Sequence, residues 1–440
     1  MGYQIMDKVK DNSAMFKRLF LLVSLAFLCG SLCAGNIAQA PSGFLRLLCS
    51  PEQLTLDAFQ VAGVAGAFLN AALVGLISWL VLRSKANTAS STSFMAYFLT
   101  VGFAFYGINA LNMLPCIFGT WIFALVRREP FGKYANFALF STALAPYVSE
   151  LLFRYPGAQA RPVTVTGVIL AIIAGAAAGF IMPAICGHSP NAHKGYSLFS
   201  AALCAGLLAF IFTSLLFKTR GIELPSNTNI GDGHNLFVNL FCAALFLLFV
   251  VAGFLLGGRS VRPIGAILKS TGHKTDFASA HGFAAALLHT GLYGLFILAY
   301  YNLVGSSFTG VTLGAVLCML SASVSGAHAL NVLPIMLGYA LASTFSSWTL
   351  STPAIMVGLC FSTGLAPVAG SFGLIPGILA GLLHACAVTQ VPLLHGSFCL
   401  YNGGFTCGLL AIVLIPLLET FFKPNAEYRL FCSRIGSKKD

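Results

Sequence analysis

Long apolar segments, separated by short polar loops, recur along almost the whole chain. In the first half they lie near residues 18–36, 59–82, 94–126, 135–153, 164–186 and 196–217. Most of them have about 17 to 24 residues, which as an α-helix is enough to cross a hydrocarbon core about 30 Å thick. The pattern predicts an all-α polytopic membrane protein.

The third segment is too long for a single crossing. Residues 94–126 would form a helix about 50 Å long, and Asn112 and Pro115 interrupt its apolar sequence. Proline removes a backbone donor and clashes with the preceding turn, so we expect a broken or re-entrant helix. Non-helical backbone at membrane depth is tolerated only where it faces protein or a water-filled cavity.

The apolar segments of the first half are repeated in the second. Three matched pairs show this: GINALNMLPCIFG (107–119) with GAHALNVLPIMLG (326–338), FSTALAP (140–146) with FSTGLAP (361–367), and HKGYSLFSAALCAGLLA (193–209) with HGSFCLYNGGFTCGLLA (395–411). Duplicated halves are typical of many secondary transporters, in which the solute site lies near the bilayer midplane at the repeat interface.

The duplication divides the chain into four parts. They are a first membrane repeat (1–217), a polar linker (218–234), a second membrane repeat (235–422) and a basic C-terminal tail (423–440). The linker is rich in turn-forming residues. At the N-terminus, Ala38-Gln39-Ala40 resembles a signal-peptidase site. Because the first apolar segment has a counterpart at 236–258, it is interpreted as the first transmembrane helix.

The basic residues favour two inverted repeats of about seven helical segments each. If the third segment enters the membrane and returns, both termini are cytoplasmic and more of the Lys and Arg residues fall on that side. The matched loops agree, because residues 259–276 contain four basic residues and the counterpart before Asp57 contains only Arg46. Arg154 and Arg161 remain on the opposite side, so six passes with parallel repeats stay open.

Composition and charge exclude other classes of protein. Of 440 residues 58% are hydrophobic and 8% are charged, outside the range of soluble globular domains. The net charge of +12 does not indicate nucleic-acid binding, since the basic residues lie in short loops and tails between apolar segments. The 13 cysteines show no paired metal-ligand spacing and are expected to act as small hydrophobic residues. Neither a metal nor a cofactor is expected.

Polar residues at the two breaks are candidates for a solute site. Asn109 and Asn112 are three residues apart, and so are the matched His328 and Asn331, which places each pair on one helix face. Imidazole in hydrocarbon requires a partner and often marks a solute or proton path. The alternative role for the asparagines is to cap backbone groups near the prolines.

Further candidates lie in the other matched motifs. Hydroxyls of the two FST motifs can bond carbonyls freed by the following proline, or can face a solute, and the two roles are compatible. The complete set of predicted substrate-binding residues is Asn109, Asn112, His328, Asn331, Ser141, Thr142, Ser362, Thr363, His289, His384, His395, Tyr401 and Asn402.

The missing motifs narrow the function. No carboxylate pair lies at mid-membrane, as cation-coupled carriers often have, and no phosphate loop, HExxH or serine elbow occurs in a convincing context. The sequence thus predicts a secondary transporter of a small polar or weakly acidic solute and not an enzyme. A channel or facilitator for a small neutral solute is the main alternative, followed by a membrane-embedded enzyme and a scaffold. Proton and sodium are candidate coupling ions, and a homo-oligomer is one candidate assembly.

The matched motifs, above all LLHGSFCLYNGGFTCGLLA (393–411), resemble a bacterial family of duplicated integral-membrane proteins catalogued as a domain of unknown function. The resemblance covers both halves and implies a multi-pass protein of the bacterial cytoplasmic (inner) membrane, but it brings no established substrate. A seven-plus-seven inverted arrangement is also similar, at the level of fold alone, to nucleobase and anion transporters.

Overall fold

A computed structural model describes residues 2–51, 54, 56–157, 159–224, 231 and 233–434. Residues 225–230 and 232 of the predicted linker and 435–440 of the predicted tail lie outside the described residues. The first repeat contains α1 (Gly2–Cys33), α2 (Ala40–Leu48), α3 (Ala58–Leu82), α4 (Ser91–Phe103), α5 (Leu114–Arg127), α6 (Ala135–Ser141), α7 (Ala145–Phe153), α8 (Val165–Cys186), α9 (Ser189–Ala192) and α10 (Ser200–Leu216).

The second repeat follows the same order. It contains α11 (Asn235–Leu256), α12 (Arg262–Leu268), α13 (Phe277–His281), α14 (Phe283–Leu303), α15 (Gly310–Ser321), α16 (Ala329–Ser343), α17 (Pro353–Ser362), α18 (Ala366–Phe372), α19 (Leu374–Ala387), α20 (Pro392–His395) and α21 (Asn402–Phe421). Short 3-10 turns occupy Ile37–Gln39, Phe131–Tyr134, Thr142–Leu144, Lys218–Arg220, Ala322–Val324 and Thr363–Leu365. Two short strands, β1 (Phe422–Lys423) and β2 (Ser433–Arg434), pair antiparallel, with Phe422 opposite Arg434.

The prediction of an all-α polytopic repeat protein is confirmed. Within the described chain, eight helices are long and apolar enough to cross a membrane. Four shorter apolar helices lie at 114–127, 310–324, 329–343 and 374–387. Three of these belong to the two broken segments that the proline-containing motifs predict.

Burial separates the interior helices from those that face lipid. Residues 355–372 are all buried, whereas the most apolar 18 residues of α8 and α11 are only 28% and 33% buried. Every residue of α15 and nearly every residue of α4 is buried as well. The helices α4, α15, α17 and α18 therefore lie at the centre of the protein, whereas α8 and α11 lie at its periphery.

Each FST motif forms a break inside a buried helix. A 3-10 turn separates α6 from α7, and the same turn separates α17 from α18. Pro146 and Pro367 fall in the first turn of α7 and α18, where the missing N–H would have no intrahelical acceptor. The proline positions thus explain where the second half of each broken helix begins.

The third segment enters and returns, as the sequence predicts. After α4 the chain leaves helical geometry at Gly107 (φ +117°), and α5 begins with Pro115 in its first turn. A Cβ added to Gly132, just after α5, would overlap the carbonyl oxygen of Lys85, just before α4. The loop that enters this hairpin and the loop that leaves it therefore lie at the same face of the protein.

The two repeats are inverted. The short helices α4 and α15 occupy equivalent positions and pack antiparallel, because Gly102 lies against Gly314 whereas Leu99 lies against Cys318. The Cys318 thiol is 4.0 Å from the Leu99 carbonyl oxygen, and these two residues correspond in the duplication. A pseudo-twofold axis consequently passes between them.

Paired hydrogen bonds between the repeats obey the same axis. The Leu198 N–H donates to the Gly364 carbonyl at 2.9 Å, and the Leu400 N–H donates to the Ala143 carbonyl at 3.1 Å. Leu198 corresponds to Leu400 and Ala143 to Gly364. Each break in a buried helix thus accepts a hydrogen bond from the segment that precedes α10 or α21 of the other repeat.

Candidate functional site

Two cavities lie on opposite faces of the protein. The larger, of about 450 Å³, lies where α4 and α10 begin, and it also contains Lys274 and Asp276. Because basic loops mark the cytoplasmic side of membrane proteins, we name it the inner vestibule. The smaller, of about 170 Å³, lies where α15, α17 and α21 begin, and we name it the outer vestibule.

Corresponding residues of the two repeats line the two vestibules. In the inner vestibule they are Thr92, Phe137, Cys186, Gly187, Pro190, Ser200 and Ala201, and in the outer vestibule Val311, Gly358, Val388, Thr389, Pro392, Asn402 and Gly403. The inverted repeats therefore form the same cavity twice, once on each face.

Five aromatic side chains separate the vestibules, and we name this cluster the aromatic barrier. Its members are Phe103, Phe140, Phe199, Phe361 and Tyr401, and the ring of Phe103 lies 5.0 Å from Tyr401 and 6.1 Å from Phe361. Across the repeats, Phe199 lies 5.4 Å from Phe361, and Phe140 lies 6.4 Å from Tyr401. These two contacts are related by the duplication, so the barrier lies on the pseudo-twofold axis.

Tyr401 and Asn402 place the barrier at the start of α21. Tyr401 lines the inner vestibule, whereas Asn402, the next residue, lines the outer vestibule. Gly403 adjoins the Phe361 ring, and an added Cβ there would overlap the Phe361 Cβ. One turn of chain therefore separates the two cavities.

Several polar groups of the inner vestibule are not used by the protein. Ser197 is 2% exposed, and its hydroxyl has no hydrogen-bond partner among the described residues. The Thr275 hydroxyl likewise has no partner there, and Tyr401 lines the same cavity. Phe199 at the N-cap of α10 provides no side-chain cap, and the first residues of this helix, Ser200 to Ala202, line the cavity.

Two of the predicted histidines support the start of α21. His395 Nε2 lies 3.0 Å from Asn402 Oδ1, and Asn402 Nδ2 donates to the Val388 carbonyl at 3.1 Å. His384 contacts the Tyr339 hydroxyl at 2.7 Å through Nδ1 and the Gly403 carbonyl at 2.9 Å through Nε2. The two imidazoles thus hold the strip of chain between the vestibules.

At the second hairpin break the predicted polar residues cap α16, and at the first they close the turn that precedes α5. The His328 N–H donates to Asn331 Oδ1 at 2.9 Å, and the Asn331 N–H donates to His328 Nδ1 at 3.3 Å. In the first repeat, the Asn109 N–H donates to Asn112 Oδ1, and the Asn112 N–H donates to Asn109 Oδ1, both at 2.9 Å. All four are fully buried, and none of them lines either vestibule. As solute ligands they remain a prediction.

The same breaks are tied to neighbouring elements in equivalent ways. Asn109 Nδ2 donates to the Leu47 carbonyl at 3.2 Å, and His328 Nε2 lies 2.8 Å from the Ser270 carbonyl. In the second repeat His289 Nδ1 lies 3.0 Å from the Ser323 carbonyl. In the first repeat the corresponding Asn70 donates to the corresponding carbonyl, that of Ala104. These side chains satisfy carbonyl groups freed where the short helices end.

The hydroxyls of the FST motifs bond to the backbone three residues earlier. Ser141 donates to Ala138, Thr142 to Leu139, Ser362 to Leu359 and Thr363 to Cys360, at 2.6 to 2.8 Å. This is the role that the sequence predicts for a kink next to proline. Their second predicted role, contact with a solute, is not visible in the lining of the vestibules.

Two aspartates tie the repeats together, one beside each vestibule. Asp57 accepts from the Phe59 N–H of its own repeat at 2.9 Å and from the Gly310 N–H of the other at 3.0 Å. The corresponding Asp276 accepts from the Ser279 N–H at 2.9 Å and from the Ser91 hydroxyl at 2.6 Å. Burial raises the pKa of Asp57, although backbone hydrogen bonds oppose this shift.

Sequence reasoning did not identify Ser197 or the phenylalanines of the aromatic barrier. Phe140 and Phe199 lie in motifs that the duplication matches to Phe361 and Tyr401. Alignment of the two repeats therefore shows aromatic residues at both pairs of matched positions. Ser197 gives no such signal, because it corresponds to Cys399. Within the described residues, no group of three His, Cys, Asp or Glu side chains is placed to hold a metal ion.

A stability measurement separates capping from solute binding at the second break. Asn331→Ala removes the side-chain partner of the His328 N–H, and we expect it to lower the free energy of unfolding by about 1 to 2 kcal/mol. Leu330→Ala, one residue away and 42% exposed, serves as the control. If Asn331→Ala left the thermal unfolding temperature unchanged but lowered affinity for a solute, the capping role would be refuted.

Comparison with known proteins agrees with the duplication. No curated protein and no solved structure matches the chain. The family described as protein of unknown function (DUF1576) matches residues 37–218 and 257–420, one segment in each repeat. The chain belongs to this family.

Proposed function

We propose that the protein is a secondary transporter of a small polar or weakly acidic solute in a bacterial cytoplasmic membrane. The observation that carries the proposal is the pair of equivalent vestibules on opposite faces, separated by the aromatic barrier. In transporters built from inverted repeats, exchange of conformation between the repeats opens one face while it closes the other.

The difference in size between the vestibules fits one state of such a cycle. The inner vestibule is about 450 Å³ and the outer about 170 Å³, although corresponding residues line both. If the repeats exchanged conformations, the outer vestibule would become the larger. The packed rings of the barrier favour a carrier over a channel, because they lie between residues that line the two cavities.

The lining of the inner vestibule favours a small solute with polar groups. A volume of about 450 Å³ suits a small metabolite, since ligand pockets run from about 300 to 1,000 Å³. Serine and threonine hydroxyls, Tyr401 and backbone groups supply hydrogen bonds, whereas Leu99, Phe137 and Phe140 supply apolar contact. Proton or sodium remains the candidate coupling ion.

Counterflow in proteoliposomes tests this proposal. Vesicles loaded with an unlabelled candidate solute should transiently accumulate the labelled solute, because the binding site of a carrier reorients across the membrane faster when a solute occupies it. Flux that saturates and is stimulated from the opposite side would support a carrier. Flux proportional to concentration without counterflow would instead support the channel alternative, and no flux across a broad panel of small polar metabolites would overturn both.

A further inference from the structure

We infer that the floor of the inner vestibule is a binding site for a small organic anion, with a carboxylate as the group that is recognised. The site comprises Ser197, the first turn of α10 and Tyr401, with Lys274 at the mouth. The part this site plays in transport rests on the proposed function, whereas the binding itself can be measured separately.

The first argument is an unsatisfied donor. The Ser197 hydroxyl is buried without a hydrogen-bond partner among the described residues, and Tyr401, which is 2% exposed, lines the same cavity. A buried polar group without a partner is costly. A ligand rich in acceptor atoms would satisfy the Ser197 hydroxyl and also accept a hydrogen bond from Tyr401.

The second argument is the direction of α10. Ser200, Ala201 and Ala202, the first residues of this 17-residue helix, all line the vestibule. The helix has no side-chain cap, and the Ala202 N–H bonds to the Phe199 carbonyl at 2.9 Å. The N–H groups of Ser200 and Ala201 and the positive end of the helix dipole therefore lie at the cavity. A helix N-terminus with free N–H groups binds anions such as carboxylates.

The third argument is the charge at the mouth. Lys274 packs its alkyl chain against Gly195, and its ammonium makes no ion pair within the described residues. Asp276 is nearby, but both its oxygens accept hydrogen bonds, from Ser279 and Ser91. The ammonium therefore remains available to an entering anion.

The walls decide between an organic and an inorganic anion. Met95, Leu99, Phe137 and Phe140 line the same cavity as the polar floor. A halide or sulfate would leave these apolar side chains without contact, whereas a short-chain or aromatic carboxylate would cover them. The chemical class is therefore a small monocarboxylate.

The outer vestibule does not offer the same site. In the second repeat Cys399 occupies the position that Ser197 occupies in the first, and the Asn402 side chain is already bonded to His395 and Val388. The site is thus expected on the inner face alone in this conformation.

Binding of matched acids and amides tests the inference. The full-length purified protein is titrated with acetate, butyrate and benzoate, and with the corresponding amides, while thermal unfolding is followed at constant ionic strength. Each amide has the shape of its acid without the charge. We expect saturable stabilisation by at least one acid and none by its amide.

Side-chain variants locate the site. Ser197→Ala and Tyr401→Phe each remove one hydroxyl, and each should weaken acid binding by about tenfold or more. Ser214→Ala is the control. It removes an exposed hydroxyl of α10 that donates to the Phe210 carbonyl within that helix, and it should leave the affinity for the acid unchanged. Lys274→Gln should weaken binding mainly at low ionic strength.

The outcomes distinguish this inference from the proposed function. Equal stabilisation by acid and amide, no stabilisation by any probe, or unchanged affinity in both Ser197→Ala and Tyr401→Phe would overturn the anion site. Counterflow of a neutral solute combined with any of these results would leave the transporter intact. Acid binding without counterflow would keep the site and overturn the transporter.

Discussion

Gly179→Leu is expected to yield no folded protein. Gly179 lies on α8 where this helix meets α5, the returning half of the first hairpin. An added Cβ would overlap the carbonyl oxygen of Cys116, and the Thr120 hydroxyl donates to the Gly179 carbonyl at 2.8 Å. Because the obstacle is backbone, relief requires separation of the helices, at a cost of about 3 kcal/mol or more.

Size-exclusion chromatography of the detergent-solubilised chain measures this effect. Gly187→Leu provides the matched control, because Gly187 follows the same helix and an added Cβ there meets nothing within 4 Å. Gly381→Leu should fail in the same way, since it packs against Ile335 at the equivalent place in the second repeat. A monodisperse Gly179→Leu protein with unchanged thermal stability would contradict the close packing of the re-entrant helix.

Tyr401→Ala is expected to turn coupled exchange into a leak. Tyr401 lines the inner vestibule and, within the aromatic barrier, its ring lies near those of both Phe103 and Phe140. Removing the Tyr401 ring opens space in the barrier directly beside Asn402, which lines the outer vestibule. We expect a rate of passive solute efflux from proteoliposomes at least tenfold above wild type, and loss of stimulation from the opposite side.

General loosening of the core is the competing explanation, because Tyr→Ala in a core destabilises by roughly 3 to 5 kcal/mol. Tyr97→Ala controls for it, since Tyr97 is equally buried but packs against Phe20 and Ser24, away from both vestibules. A leak in Tyr401→Ala alone supports the barrier. Tight vesicles with Tyr401→Ala, or equal leaks in the two variants, would refute it.

The sequence is enough to predict the architecture because its signals are strong and repeated. Apolar segments of membrane length, the proline-containing breaks and the matched motifs all follow from local chemistry. The distribution of Lys and Arg between the loops of the two faces then favours inverted repeats. The antiparallel contact between Leu99 and Cys318 agrees with it.

The candidate site was harder to predict, since polar residues in a membrane serve the backbone as readily as they serve a solute. His328 and Asn331 are the most conspicuous polar pair in the chain, yet the structure uses them as a helix cap. Ser197 and Phe199 look like ordinary small and apolar residues, and only tertiary packing places them at a cavity. Helices that are apolar on every face give no periodicity from which such packing can be read.

The most direct test of the central claim is the accessibility of one matched position in each vestibule. Thr92 lines the inner vestibule, and the corresponding Val311 lines the outer. Each is changed to cysteine in a parent whose exposed cysteines, Cys29, Cys33, Cys49 and Cys386, are replaced by serine. Vesicles of known orientation are treated with a membrane-impermeant maleimide, and the parent supplies the background.

Thr92→Cys is predicted to react only from the inner side and Val311→Cys only from the outer side. Addition of a transported solute should change the two rates in opposite directions, because opening one vestibule closes the other. Reaction of both cysteines from one side, or rates that rise and fall together, would contradict alternating access.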